Sequence, residues 1–203
     1  MYDVLIIGAG AAGMSCALVI GSALEKPFAI NKKVGLIAHQ RSSHLQNALF
    51  NNVLGLQPGT LGEDLLKAGT HQLAELYPKV EQIAGEKILE IKKTGAYFEV
   101  ISNKNTYATK ALVIATGYAK PFTIEGLEEY LEAHQMAKPG KERIQLKNHL
   151  HLVDENLYVA GTLAGWRSQF AIACGSGAQV ATDILTLWNN GEHTKVHDKK
   201  PQV

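Results

Sequence analysis

Three glycines near the amino terminus have the spacing of a turn that binds a dinucleotide. Gly8, Gly10 and Gly13 form a G-x-G-x-x-G pattern between the apolar run Val4 to Ile7 and a stretch rich in Ala and Leu, Met14 to Leu24. Gly8 would permit a tight strand-to-helix turn, Gly10 would let the backbone approach a pyrophosphate, and Gly13 would let helix and strand pack closely. The start of a helix offers free N–H groups to an anion. The pattern therefore predicts a bound dinucleotide, with a ligand-free glycine turn as the alternative.

Composition and charge narrow the class of protein. The chain has 203 residues, 46% of them hydrophobic, which is enough for one domain with its own core. We expect a single cofactor-binding domain over residues 1–190 and a polar tail over residues 191–203. A net charge of +1 gives no general attraction to nucleic acid. We identify no signal peptide and no apolar run of membrane-spanning length, which predicts a cytoplasmic protein without nucleic-acid or membrane partners.

The elements around the glycine turn are those of an α/β fold. The second strand, Val34 to Ala38, completes a β-α-β opening, and Leu61 to Tyr77 is predicted as an amphipathic helix that ends at Pro78. Two further buried strands and a closing helix are predicted at Ala111 to Ala115, Asn156 to Ala160 and Gln169 to Trp188. An antiparallel meander is predicted from four short strands: Val80 to Ile83, Glu86 to Lys92, Tyr97 to Ile101 and Thr106 to Thr109. A short acidic helix is predicted at Glu125 to Glu132.

The cysteines and histidines give weaker signals. Cys16 and Cys174 are the only cysteines and form no C-x-x-C motif, so we interpret both as small buried residues, with a redox pair as the alternative. His149 and His151 would share one face of an extended segment and could ligate a metal. No further ligand accompanies them at metal spacing. We therefore predict no metal site.

Four separated segments together resemble the FAD domain of the thioredoxin reductase-like pyridine nucleotide-disulfide oxidoreductases. They are Gly8 to Gly13, Asn52 to Gly55, Ala115 to Gly117 and Asn156 to Gly177. The resemblance spans Met1 to about Trp188. It implies a three-layer ββα FAD/NAD(P)-binding fold, Rossmann-like, with a parallel central sheet and a small antiparallel meander.

The resemblance also implies how FAD is held. Residues at the pyrophosphate would be Gly8, Gly10, Ala12 and Gly13. The adenosine ribose would lie beside Ala38 and His39, with Gln40 as a further hydrogen-bonding group. The ribityl chain and flavin ring would be flanked by Asn52, Gly161, Thr162 and Gln169, and Thr116 and Gly117 would pack close to the cofactor. No catalytic residue is implied.

Three departures from the family pattern bear on function. Ala38 and His39 stand where an acidic ribose ligand is common, and Thr162 stands in place of an Asp. The full-length family also has an NAD(P)H domain after the segment that ends at Gly117. Here the closing strand follows after about forty residues, too few for a second β-α-β domain.

These departures leave three functional readings open. The first is a minimal FAD-dependent oxidoreductase that takes electrons from a separate reductase or redox partner protein, from a diffusing nicotinamide or from a small reductant. The second is a non-catalytic flavin-binding module or a subunit of a redox assembly, and the third is a plain NAD-binding Rossmann protein. A surface that normally packs on a second domain also suggests self-association into a homo-oligomer.

Overall fold

A computed structural model of the chain describes residues 1–39, 43–118, 121–138 and 140–197. The helices are α1 (Ala11–Ala23), α2 (Gly62–Leu76) and α3 (Phe170–Trp188). The strands are β1 (Tyr2–Ile7), β2 (Val34–Ala38), β3 (Leu49–Phe50), β4 (Thr60–Leu61), β5 (Val80–Ala84), β6 (Ile88–Thr94), β7 (Tyr97–Ser102), β8 (Thr106–Ile114), β9 (Leu131–Ala133), β10 (Ile144–Leu146), β11 (Leu152–Asp154) and β12 (Leu157–Val159).

A parallel sheet forms the middle layer of the fold. Its strand order is β12-β8-β1-β2-β5, and β11 adds an antiparallel edge beside β12. Strand β1 is buried on both faces, since Val4 and Ile6 join one core cluster while Leu5 and Ile7 join the other. Both faces of the sheet are therefore covered, as expected for a parallel sheet.

Each face of the sheet carries a different layer. Helices α1 and α3 pack against each other over one face, with Ile20 and Ile184 in the same buried cluster. The other face is covered by the antiparallel strands β6 and β7, which continue into the first half of β8. Phe98 and Val100 of β7 are buried there. The three-layer α/β fold predicted from the sequence is confirmed.

Three local predictions are wrong. The strand at Val80–Ala84 is not part of the meander, because it pairs in parallel with β2 after the crossover through α2. The segments predicted as two strands around Lys110 form one strand, β8, shared between the meander and the central sheet.

The acidic helix predicted at Glu125 to Glu132 is the third wrong prediction. Only Glu128–Tyr130 forms a 3₁₀ turn, and the chain then enters β9. The Glu125 N–H donates to the Leu89 carbonyl oxygen and the Ile91 N–H donates to the Glu125 carbonyl oxygen, which holds this segment against β6. Gly126 has a φ of +89°, which a helix does not allow.

The closing helix also bears on the membrane prediction. Among the described residues, α3 is long and apolar enough to cross a membrane by length and composition. The prediction that no apolar run has membrane-spanning length is therefore wrong. In this fold, however, one side of α3 packs on α1, and Val180, Ala181 and Leu185 are buried. Beyond α3, Thr194 is buried and Val196 packs against the same core.

Candidate functional site

A cleft of about 680 Å³ opens along the ends of the central strands β1, β2, β8 and β12. This volume falls in the range of roughly 300–1,000 Å³ that is usual for cofactor sites. Nine predicted site residues line the cleft: Gly8, Gly10, Ala12, His39, Thr116, Gly117, Gly161, Thr162 and Gln169. The fold therefore brings together segments from the first turn, the middle and the end of the chain.

The glycines of the first turn occupy three different environments. Gly8 has a φ of +105°, and a Cβ there would lie 2.5 Å from the Ala115 carbonyl oxygen. A Cβ on Gly13 would lie 1.7 Å from the Gly8 carbonyl oxygen. At Gly10 the nearest atom to such a Cβ is the Ser43 Oγ, 3.9 Å away. Gly8 and Gly13 thus permit the close turn, whereas Gly10 leaves open space at the cleft.

Two helices begin at this cleft. Gly10 precedes α1 and Gln169 precedes α3, and neither makes a side-chain hydrogen bond to the helix that it caps. The first turn of each helix also carries no acidic residue. Free N–H groups and the positive ends of two helix dipoles therefore favour negatively charged groups here. An FAD pyrophosphate fits the start of α1.

A 3₁₀ turn at Gly161–Ala164, here named the Gly161 turn, follows β12 and lies between these helix starts. Gly161 has a φ of +75°, and a Cβ there would lie 2.9 Å from the Ala12 Cβ. The Gly161 N–H donates to the buried Ser176 Oγ over 2.7 Å. Sequence reasoning missed Ser176, whose hydroxyl ties the Gly161 turn to α3.

The end of the cleft near β2 carries a carboxylate that sequence reasoning also missed. Glu86 lines the cleft and follows β5, whose Ala84 is paired with Ala38 of β2. Its carboxylate accepts hydrogen bonds from the Ser102 Oγ at 2.5 Å and from the Asn105 Nδ2 at 2.8 Å. The Ser102 hydrogen bond, more than any other contact, holds the pKa of Glu86 below its usual range. No sequence motif marks Glu86, since the contacts depend on the β7–β8 turn.

Three of the described site residues, Gly13, Ala38 and Asn52, are not among those that line the cleft. Gly13 packs beneath the turn, and Ala38 lies in β2, partly buried against the core. Asn52 is exposed between β3 and β4, while Ser43, Leu45 and Ala48 line the cleft instead. Gln40 lies outside the described residues. The cofactor-binding roles of all thirteen predicted site residues stay predictions.

The histidines near the Gly161 turn do not share a face. His151 is buried with a φ of 76°, and its ring stacks on Trp166 at a centroid distance of 5.8 Å, whereas His149 is exposed. The Nδ1 of His151 lies 3.1 Å from the Val159 carbonyl oxygen. Within the described residues there is no group of three potential metal ligands of the His, Cys, Asp or Glu type.

Both cysteines lie in the packing between α1 and α3 without forming a disulfide. Cys16 is fully buried, and burial raises the pKa of its thiol. Cys174 is partly buried, and burial raises the pKa of its thiol despite a hydrogen bond with Ser15. Thiols held in the protonated form are poor nucleophiles. This agrees with the interpretation of both cysteines as small packing residues.

Burial of His151 predicts a pH-dependent stability. Burial lowers the pKa of His151 below its ordinary 6.5, against the opposing effects of the Val159 hydrogen bond and Asp183. The unfolded state then binds more protons, so stability is present above pH 6.5 and is lost as the pH falls towards the folded pKa. The slope due to one such residue is at most about 1.4 kcal/mol per pH unit.

Urea unfolding of the wild type and of His151→Phe between pH 7.5 and 5 would test this. The variant is expected to lose less stability on acidification than the wild type. His71→Gln is the control, because the His71 side chain is 80% exposed, and it is expected to follow the wild type. Parallel pH curves for the wild type and His151→Phe would contradict the prediction.

Comparison with known proteins shows the family to which the chain belongs and solved structures of similar fold. The family model described as pyridine nucleotide-disulphide oxidoreductase matches residues 2–165. A ferredoxin–NADP reductase from Levilactobacillus brevis is 27% identical over 190 residues, which are 92% of this chain and 50% of that protein. The chain thus spans about half the length of this curated relative.

Solved structures of similar fold include two thioredoxin reductases. The one from Gloeobacter violaceus has a TM-score of 0.72 at 14% identity, and the match covers 98% of this chain and 99% of the other. The one from Lactococcus lactis has a TM-score of 0.67 at 17% identity, and it covers 94% of this chain and 100% of the other. At these identities the likeness concerns the fold alone.

Proposed function

Because this chain belongs to the pyridine nucleotide-disulphide oxidoreductase family, we propose that it is an FAD-dependent oxidoreductase reduced by a donor outside the 203 residues. FAD is the cofactor, as the sequence predicted. The observation that carries the proposal is the cleft itself, which joins the glycine turn, the Gly161 turn and two uncapped helix starts. Bound there, FAD would supply reversible electron storage.

Each part of the cleft is proposed to bind one part of the cofactor. The backbone at Gly10 and the start of α1 would hold the pyrophosphate, and His39 would lie near the adenosine. Thr162 and Gln169 would flank the ribityl chain and flavin ring. The start of α3 would then face the flavin and favour the negative charge that builds on reduction.

The donor is proposed to be a separate reductase or redox partner protein. The segment between Tyr118 and Asp154 contains no second G-x-G-x-x-G turn. Its described part includes the β9–β10 hairpin, whose strand β10 contacts the Gly161 turn. Self-association into a homo-oligomer and a cytoplasmic location belong to the same proposal.

Anaerobic rapid mixing would test the identity of the donor. FAD-loaded protein is mixed with NADPH, NADH or reduced methyl viologen while the flavin absorbance is followed. The viologen is expected to bleach the flavin completely. Nicotinamides are expected to react at least about a hundredfold more slowly than in an enzyme that positions them, because lost positioning raises the barrier.

Free FAD at the same concentration is the control. The nicotinamide rate should rise linearly with concentration and stay close to that of free FAD. Fast bleaching that saturates with NADPH would show that the chain itself binds a nicotinamide, and it would contradict a separate reductase or redox partner protein as the donor. A bound flavin that the viologen leaves oxidised would instead favour a non-catalytic module.

A further inference from the structure

Side chains from one region hold carbonyl groups of the Gly161 turn and of Gly165, the residue that follows it. His134, Gln135 and Asn148, here named the clamp residues, come from the β9–β10 hairpin and the loop that follows it. They contact the carbonyl oxygens of Thr162, Gly165 and Ala164, respectively. No motif marks the clamp residues in the sequence.

His134 makes the central contact. The Met136 N–H donates to its Nδ1 over 3.1 Å, so the ring proton lies on Nε2. Nε2 therefore donates to the Thr162 carbonyl oxygen, 2.9 Å away. The His134 side chain is buried beside the Tyr118 ring, at a centroid distance of 5.3 Å, and Tyr118 lines the cleft. Both ring nitrogens are thus used, and the ring has one orientation.

The other two clamp residues are themselves fixed. The Gln135 Nε2 donates to the Gly165 carbonyl oxygen over 3.2 Å, and the Gln135 N–H donates to the Gln145 Oε1. The Asn148 Nδ2 donates to the carbonyl oxygens of Ala164 and Leu146. The Gln135 backbone and the Asn148 side chain are thus both anchored to β10.

The Gly161 turn is also held from its opposite end. The Ser176 Oγ accepts the Gly161 N–H, while Leu163 and Ala164 pack in one core cluster with Ile144 and Leu146 of β10. Gly161 and Thr162 face the cleft between these two attachments. A turn held on both sides keeps the Thr162 backbone, and with it the base of the Thr162 side chain, in one place.

We propose that His134, with the other clamp residues, is a positioning residue for the bound flavin. This inference rests on the proposed function. Thr162 offers one neutral hydroxyl, and a hydrogen bond weakens steeply when its angle is lost. The strength of its contact with FAD therefore depends on how firmly the Gly161 turn is held.

A pair of buried histidines tests the proposal. His134 and His151 are similarly buried, with exposed fractions of 9% and 4%. His134 contacts the carbonyl oxygen of Thr162, which lines the cleft, whereas His151 contacts that of Val159, which does not. His134→Phe keeps the ring and removes the donor. It is expected to weaken FAD binding about tenfold and to shift the visible flavin absorption bands. His151→Phe is expected to leave both unchanged.

Two more variants complete the test. His134→Gln restores an N–H donor and is expected to recover most of the affinity and the wild-type spectrum. Gln135→Ala, at an exposed position, is expected to weaken FAD binding in the same direction by a smaller factor. It decides the question if His134→Phe does not fold. FAD dissociation constants, absorption spectra and melting temperatures are measured for every variant.

The possible results separate the two proposals. Equal losses of FAD affinity in His134→Phe and His151→Phe at equal loss of melting temperature would reduce His134 to a structural role and overturn the inference. The inference would also be overturned if Gln135→Ala and His134→Phe, as separate variants, both bound FAD with wild-type affinity. It would likewise be overturned if His134→Phe did not fold and Gln135→Ala bound FAD with wild-type affinity. A wild-type chain that takes up no FAD would overturn the proposed function, and this inference with it.

Discussion

Gly177→Ala is expected to destabilise the protein by about 3 kcal/mol, because the added methyl group has no space. Gly177 lies on α3, and a Cβ there would lie 1.9 Å from the Ala12 carbonyl oxygen. Since backbone atoms of α1 form this contact, the two helices would have to separate. In a chain of this size the change corresponds to a fall in melting temperature of about 10 °C.

Gly175→Ala is the matched control. Gly175 lies on the same helix, two residues earlier, and a Cβ there would meet no atom within 4 Å. Alanine at this position is expected to stabilise the protein by about 0.5–1 kcal/mol through helix propensity. Melting curves of both variants measure the difference. Similar shifts in the two variants would contradict the close packing of α1 and α3.

Gly177→Ala should also reduce FAD retention. Ala12 lines the cleft, and a Cβ on Gly161 would lie 2.9 Å from the Ala12 Cβ. Any movement of α1 away from α3 therefore displaces both the glycine turn and the Gly161 turn. FAD released from the denatured protein, measured per chain, should be lower than in the wild type and in Gly175→Ala.

Gly10→Val is expected to abolish FAD binding while the fold is kept. The space above Gly10 is open, because a Cβ added there would have its nearest neighbour 3.9 Å away. Valine side-chain atoms would therefore project into the cleft without disturbing the core, and they would occupy the volume assigned to the pyrophosphate. The expected loss of affinity is at least about a hundredfold, since the phosphate contacts and the helix-start interactions are lost together.

The measurement combines FAD binding with melting curves in the absence of cofactor. Wild-type protein is expected to bind FAD and not FMN, because FMN lacks the pyrophosphate. Gly10→Val should melt within a few degrees of the cofactor-free wild type, whereas Gly13→Val should not, because a Cβ at Gly13 would lie 1.7 Å from the Gly8 carbonyl oxygen. Equal FAD retention in Gly10→Val and the wild type would contradict the pyrophosphate assignment.

Local sequence patterns were sufficient to predict the strand, the glycine turn and the helices that form the site. The apolar run of β1, the glycine spacing and the alanine-rich helix are neighbours in the chain, so their packing follows from residues close in sequence. The same holds for the closing helix α3, which was predicted within one residue of its observed start. Together with the segments resembling the FAD domain, these patterns were sufficient for the family, the fold class and the cofactor.

Pairing between distant segments was decided by the tertiary structure. The period of an isolated strand does not say which neighbour it joins, and β5 accordingly pairs with β2 rather than with the meander. Asn52 is exposed for a related reason, since the β3–β4 hairpin sets the path of its loop.

The side chains that hold the cleft together could not be predicted from the sequence either. Glu86, Ser176 and His134 acquire their contacts from residues 15 to 28 positions away, through side-chain hydrogen bonds that leave no periodic signal. The sequence by itself therefore determined the cofactor, and it predicted which turn would receive the pyrophosphate. Only the tertiary structure decided which side chains hold that site in place, because such bonds depend on how distant segments meet in the folded chain.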